Sequence, residues 1–150
     1  MDVPTIVDLT RCASGASERG RIEFQAKCVK TDDGGIQSAL LFRVDAMSAI
    51  SPREPAIFID RLATAPQNRD NLVSAPVLRG SGTGMLIYTI ALSYSLGFGG
   101  IVNLFPIANE QFYIRLGFEP TGVTEGVDAL FELPATAANA LLVERGLIDA

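Results

Sequence analysis

The residues most suited to chemistry form the run Arg79-Gly80-Ser81-Gly82-Thr83-Gly84, which leads directly into a helical pattern over residues 85–96. Glycines leave backbone N–H groups uncovered and permit positive φ, so several amides can converge on one anion. The positive end of the helix and the Arg79 guanidinium would both attract a phosphate. The run lacks the Gly-Lys-Ser/Thr of a Walker A loop and the glycine spacing of a dinucleotide fingerprint. It predicts a phosphate or pyrophosphate site, with a plain tight connection as the alternative.

The absence of histidine removes several common kinds of site. Without it the chain has no Ser-His-Asp or Cys-His nucleophile and no histidine-ligated metal. Cys12 and Cys28 cannot complete a zinc site by themselves. They are expected as two free thiols in a reducing cytosol, with a disulfide as the alternative. Charges are scattered through residues 1–20, so no signal-peptide core is present there. These observations predict a cytoplasmic protein without a metal.

The charge balance argues against two classes of partner. The chain has 12 basic and 17 acidic side chains, a net charge of −5 and a pI near 4.6. Domains that bind nucleic acid normally present a basic face. The lysines are Lys27 and Lys30, so the sequence contains no polybasic patch for a membrane surface. We therefore expect no nucleic-acid partner and no membrane partner.

The elements that would position the glycine-rich run form a mixed α/β pattern, and 150 residues fit one domain. Strands are predicted over residues 3–9, 21–31, 37–45, 56–63, 101–105 and 127–133, and helices over 85–96, 109–116 and 135–145. The turn Asp32-Asp33-Gly34-Gly35 joins the second and third strands as a hairpin.

Residues 80–109 carry no charge, and their length alone would admit a membrane span. Gly97, Gly99 and Gly100 interrupt this stretch, and Pro106 breaks its end. A helix, a glycine turn and a buried strand therefore describe it better. Because the helix over 85–96 lacks charge, its outer face is expected to lie under the C-terminal helix or a second subunit.

Three segments together resemble the GNAT superfamily of N-acetyltransferases. Arg79-x-x-Gly82-x-Gly84 is similar to the family's coenzyme A pyrophosphate motif, and Phe112-Tyr113-Ile114-Arg115-Leu116-Gly117-Phe118 resembles its Phe-Tyr-x-x-x-Gly-Phe signature. The strand that ends in Ile59-Asp60-Arg61-Leu62-Ala63-Thr64 resembles the one beside the acetyl group. The resemblance implies a central mixed sheet with antiparallel N-terminal strands, flanking helices and a V-shaped gap where two parallel strands, 56–63 and 101–105, splay apart.

The resemblance also implies an activity, the transfer of an acetyl group from acetyl-CoA to a primary amine by direct attack. The residues that would bind the coenzyme are Leu62, Ala63, Thr64, Arg79, Gly80, Ser81, Gly82, Thr83 and Gly84. Tyr113 would protonate the leaving thiolate, and a backbone N–H near Ala63 would serve the oxyanion. Asp60 is the candidate base, through a water because its side chain is short. The alternative is a strand aspartate paired with Arg61 or Arg79. Glu110 is interpreted as a helix-dipole partner.

The sequence departs from the family in its acceptor region. Relatives usually have one or two helices between the first two strands, and residues 12–21 are too few for them. The acceptor site is therefore expected to be open, or closed by the loop over residues 66–76 or by another chain, which allows a homodimer. The acceptor would be a small-molecule or peptide amine, and the acidic chain tolerates a cationic one. The alternative function is an acyl-CoA-binding module that has lost catalysis and acts as a sensor or assembly subunit.

Overall fold

The computed structural model describes residues 5–8, 24–30, 36–64, 81–106 and 110–149. The strands are β1 (Thr5–Asp8), β2 (Gln25–Lys30), β3 (Ile36–Met47), β4 (Pro55–Thr64), β5 (Val102–Leu104), β6 (Glu119–Glu125) and β7 (Asp128–Leu133). The helices are α1 (Ser81–Ser95), α2 (Glu110–Leu116) and α3 (Ala135–Glu144). The expected succession of strands followed by helix, strand and helix is confirmed.

The strands form one seven-stranded mixed sheet in the order β1-β2-β3-β4-β5-β7-β6. β1, β2 and β3 are successive antiparallel neighbours. β4 and β5 are parallel, and β7 runs antiparallel to both β5 and β6. Antiparallel N-terminal strands beside a central parallel pair are the arrangement expected from the sequence.

The chain divides into two compact units. The first contains residues 1–43 and 60–86, and the second contains residues 44–59 and 87–150. Strands β3 and β4 and helix α1 each contribute residues to both units.

The parallel pair is short, and one of its strands continues beyond it. The recorded pairing runs from Ile57 opposite Val102 to Ile59 opposite Leu104. β5 ends at Leu104, whereas β4 extends to Thr64. The pairing of the two parallel strands therefore ends after Ile59, while β4 continues.

Helix α3 packs on the turn that follows α1. A Cβ built on Gly100 would lie 2.6 Å from Ala138 Cβ and 3.7 Å from Ile90 Cγ2. Asn139 Nδ2 donates to the Gly99 carbonyl at 3.2 Å. Of the thirteen residues of α1 whose burial is described, six are buried, four are half-buried, and Gly84, Tyr94 and Ser95 are exposed. The C-terminal helix thus packs on the glycine turn at the end of α1, and coverage of the outer face of α1 stays a prediction.

One predicted boundary is wrong, and one strand was not predicted. Helix α1 begins at Ser81 rather than at residue 85, so the end of the glycine-rich run is helix and not turn. β6 was not predicted, because all its residues except Thr121 are exposed and Pro120 and Gly122 interrupt it. Such a strand lacks the alternation of apolar and polar residues that marks a half-buried strand. Within the described ranges, no helix is long and apolar enough to cross a membrane.

Candidate functional site

The first turn of α1 carries the described part of the glycine-rich run. Ser81, Gly82, Thr83 and Gly84 are its first four residues. The first four N–H groups of a helix have no acceptor within the helix, so this turn presents donors to a ligand. The turn contains no acidic residue that would repel an anion. Its backbone is therefore suited to a phosphate. Arg79 and Gly80 lie outside the described residues.

Gly84 is not required by packing. A Cβ built on it would meet no atom of the described residues within 4 Å, and the residue is exposed. Gly84 therefore presents no side chain at this turn, which suits the close approach of a pyrophosphate to the backbone.

The end of β4 carries the next group of predicted residues. Leu62 is half-buried, Ala63 is exposed, and Thr64 is the last residue of the strand. These three residues follow the part of β4 that is paired with β5. The predicted pantetheine contacts thus fall on the part of β4 that extends beyond its pairing with β5.

Asp60 lies in β4 and is exposed. Its Oδ2 atom is 3.7 Å from Arg61 Nε, and 77% of the Arg61 side chain and 38% of the Asp60 side chain are exposed. Exposed ion pairs of this kind contribute about 0–1 kcal/mol, so the pair does not hold Asp60 firmly. The sequence analysis gave pairing with Arg61 as one alternative to a catalytic role for Asp60. The contact agrees with that alternative, and the catalytic role stays a prediction.

Tyr113 lies in α2, within a cluster of aromatic rings. Its ring centroid is 5.0 Å from that of Phe112 and 5.6 Å from that of Phe118, both in edge-to-face geometry. The Phe118 N–H donates to the Tyr113 carbonyl at 3.1 Å, across the turn at Gly117. Gly117 has a φ of 110°, a conformation that favours glycine. The spacing of the Phe-Tyr and Gly-Phe pairs thus brings the two phenylalanines onto Tyr113.

Burial raises the pKa of Tyr113 above the ordinary value of 10.0, because desolvation penalises the phenolate. The phenol therefore keeps its proton at neutral pH, as a general acid must. Glu110 is exposed at the start of α2, where a negative charge favours the helix dipole, in agreement with its interpretation.

The predicted residues fall in both compact units. Asp60, the end of β4 and the first turn of α1 belong to the first unit, whereas Tyr113 belongs to the second. The predicted loop over residues 66–76 and the segment over residues 12–21 lie outside the described residues. Cys28 is a buried free thiol, and Cys12 also lies outside the described part.

One polar cluster escaped the sequence analysis. Glu132, in β7, is 1% exposed. It accepts hydrogen bonds from Ser48 Oγ at 2.6 Å, Ala49 N at 2.7 Å, Ile50 N at 3.2 Å and Asn103 Nδ2 at 3.0 Å. The available signal was a polar residue within each of two apolar strands, Asn103 in Val102–Leu104 and Glu132 in Asp128–Leu133. The cluster ties the loop after β3 to β5 and β7.

The fold is similar to that of several solved structures. A GNAT-family acetyltransferase from Listeria monocytogenes 4b F2365 is 19% identical with a TM-score of 0.52, and the match covers 71% of this chain and 62% of that one. AtaTR bound with AcCoA is 18% identical with a TM-score of 0.58, over 93% of this chain and 98% of that one. AtaT complexed with acetyl-methionyl-tRNAfMet is 14% identical with a TM-score of 0.61, over 93% and 99%.

Sequence comparison alone gives no such relation, since no family model matches the chain and no curated protein is similar to it. The relation rests on the fold, which these solved structures share at 14–19% sequence identity. The chain has the fold of the GNAT acetyltransferases.

Proposed function

We propose that this protein is an N-acetyltransferase that moves the acetyl group of acetyl-CoA onto a primary amine. The observation that carries the proposal is the first turn of α1, which consists of the last four residues of the glycine-rich run and in which a Cβ on Gly84 would meet no described atom. In this proposal the coenzyme pyrophosphate accepts hydrogen bonds from residues 80–84 and an ion pair from Arg79. AtaTR, which has a similar fold, was solved with AcCoA bound, and this supports the choice of coenzyme.

The proposed reaction is a direct transfer. The neutral amine attacks the thioester carbonyl, the C–N bond forms, and the oxyanion accepts a hydrogen bond from the backbone near Ala63. Collapse of the intermediate breaks the C–S bond, and Tyr113 donates its proton to the sulfur of the leaving CoA. Asp60 removes the proton of the amine through a water. No metal takes part in the proposed steps.

The position of the coenzyme's acetyl arm follows from β4. Its backbone beyond Ile59 is no longer engaged in the recorded pairing with β5. The amide groups of Leu62, Ala63 and Thr64 can therefore pair with the pantetheine arm as an added strand would.

The acceptor in this proposal is a cationic small molecule or a lysine-containing peptide rather than a nucleic acid. The net charge of −5 attracts cations and opposes a polyanion. One neighbour, AtaT, was solved in complex with acetyl-methionyl-tRNAfMet, so aminoacyl-tRNA belongs in the acceptor screen beside spermidine and lysine peptides.

We place the enzyme in the cytoplasm, where the free thiol of Cys28 is stable. Light scattering will distinguish a monomer from the homodimer that the sequence allows.

Substitution of Tyr113 tests the mechanism. Tyr113→Phe removes the proton donor but keeps the ring cluster, so we expect kcat to fall by about 10²- to 10⁴-fold while acetyl-CoA binding is kept. Tyr94→Phe is the matched control, because Tyr94 is an exposed tyrosine of α1. Unchanged turnover in Tyr113→Phe would remove the proposed role of this residue.

Coenzyme binding tests the activity class separately. Acetyl-CoA at a hundredfold excess over its Kd should stabilise the fold by about 2.7 kcal/mol, which thermal unfolding readily detects. Binding without turnover on any acceptor would favour the acyl-CoA-binding module. The absence of stabilisation at millimolar acetyl-CoA would exclude both functions.

A further inference from the structure

Residues 48–50, which follow β3, form a short strap that connects β3 to a distant strand of the sheet. In the strand order, β4 and β5 lie between β3 and β7, and neighbouring strands are about 4.8 Å apart. Three atoms of the strap, Ser48 Oγ, Ala49 N and Ile50 N, nevertheless donate hydrogen bonds to Glu132 of β7. The strap and the Glu132 side chain together therefore span the two intervening strands.

The strap and Asn103 supply two donors to each oxygen of the Glu132 carboxylate. Oε1 accepts hydrogen bonds from Ala49 N at 2.7 Å and from Asn103 Nδ2 at 3.0 Å. Oε2 accepts hydrogen bonds from Ser48 Oγ at 2.6 Å and from Ile50 N at 3.2 Å. These four donors match the roughly four lone-pair positions of a carboxylate. Successive backbone amides and polar side chains that converge on one anion are typical of an anion-binding site.

The four donors are also held in place by bonds that do not involve the carboxylate. Ser48 N donates to the Glu54 carbonyl at 2.8 Å, and Ser51 N donates to Ser48 Oγ at 2.8 Å. Asn103 Nδ2 also donates to the Met47 carbonyl at 3.2 Å. The loop after β3 is therefore closed upon itself and attached to β5, with its remaining donors directed at β7.

The arrangement selects a carboxylate over a neutral amide. Glu132 is 1% exposed, so every unpaired polar atom at this position would be costly. Each carboxylate oxygen accepts one backbone N–H, from Ala49 on Oε1 and from Ile50 on Oε2. A backbone N–H can only donate, so the amide nitrogen of a glutamine would face a donor in either orientation.

We propose that the strap and Asn103 form a carboxylate-binding site whose ligand is the chain's own Glu132, and that this ligand fastens the strap to β7. Ser48, Ile50 and Glu132 also line a cavity of about 400 Å³, so the occupied site fixes one wall of that cavity. The inference does not depend on acetyl transfer, because none of these residues is assigned to the coenzyme or to the reaction.

Amide hydrogen exchange of the wild-type protein tests the occupied site. The Ile50 side chain is 43% exposed and the residue lies in a loop, where an amide without an acceptor exchanges quickly. We expect the amides of Ala49 and Ile50 to exchange at least about tenfold more slowly than that of Arg53, an exposed residue of the same loop. Equal exchange rates at the three positions would overturn the proposal.

Glu132→Gln tests the requirement for a carboxylate. We expect the protection of the Ala49 and Ile50 amides to fall about ten- to hundredfold, because at least one backbone donor loses its acceptor. Glu125→Gln makes the same change on exposed β6 and should leave both amides as protected as in the wild type. Unchanged protection in Glu132→Gln would show that the site does not select a carboxylate.

Removal of the side chain tests whether the site accepts an external ligand. In Glu132→Ala the donors border the cavity, and acetate should cause saturable shifts of the Ala49 and Ile50 amides in ¹⁵N spectra and restore their protection. Acetamide is neutral and of similar size, and it should do neither. The wild type, whose site is filled, should not respond to acetate at these amides. A variant that folds only in acetate would give the same support, whereas equal effects of acetamide, or no effect of acetate, would overturn the proposal.

Discussion

Gly84 and Gly100 differ in the structural reason for a glycine at each position. Gly100 has a φ of 87° and would bring a Cβ to 2.6 Å from Ala138, so the fold itself excludes a side chain there. Gly84 has open space around it and lies within α1, where glycine is less favourable than alanine. A glycine that costs helix stability and relieves no internal contact points to an external partner. The comparison separates a glycine required by packing from one consistent with ligand binding.

The largest expected effect is at Gly100. Gly100→Ala should lower the free energy of unfolding by about 3 kcal/mol, because it adds both a strained φ and an overlap with Ala138. Chemical denaturation measures this loss. Ala138→Gly in the same chain should restore part of it, and strictly additive losses would show that the overlap is not the cause.

A smaller loss is expected at Gly117, which has a φ of 110°. A Cβ there would lie 3.1 Å from Ala137 Cβ and 3.4 Å from Leu133 Cδ1, which is tight but not prohibitive. Gly117→Ala should cost about 2 kcal/mol in a denaturation experiment, chiefly through backbone strain. If Gly117→Ala lowered the free energy of unfolding as much as Gly100→Ala, the contact distance of the added Cβ would not predict the order of the two losses.

At Gly84 we expect the change in the free energy of unfolding to have the opposite sign. Gly84→Ala should raise the free energy of unfolding by about 0.5–1 kcal/mol, because alanine is the better helix former and meets no obstruction. The same methyl group would crowd a bound pyrophosphate, so calorimetry should show a Kd for acetyl-CoA raised about tenfold. A more stable variant that binds acetyl-CoA as well as the wild type would refute the ligand explanation for this glycine.

The smallest effect concerns pH and Tyr113. Its folded-state pKa is raised by desolvation, so its contribution to stability is complete below about pH 10 and is lost as the pH rises through the folded-state value. Absorbance at 295 nm should show Tyr113 ionising at higher pH than a free tyrosine, as the difference between the wild type and Tyr113→Phe. A pKa of Tyr113 at or below the ordinary value for tyrosine would contradict the burial of its side chain.

The order of strands and helices was largely predictable because apolar periodicity and turn residues mark most elements, whereas the central parallel pair was expected from the resemblance to the GNAT superfamily. The start of α1 was misplaced, since three glycines in six residues indicate a turn unless a ligand or tertiary contact favours the helix. β6 was missed because its residues are mostly exposed and carry no alternation. Tyr113 was selected through a spaced aromatic signature, and its catalytic role stays a prediction. The bonds of Glu132 to residues 48–50 join positions more than 80 apart, and no local pattern reveals such pairs.

Strand β6 has a bearing on how the protein behaves at high concentration. It forms one margin of the sheet, and its register with β7 slips between Pro120 and Thr124. Pro120 lacks an N–H, and Gly122 turns the chain with a φ of 85°. A strand from another molecule would find an interrupted row of donors and acceptors there, flanked by the charges of Glu119 and Glu125. This margin is therefore a poor template for fibril growth, which protects a protein with so apolar a sequence in a crowded cell.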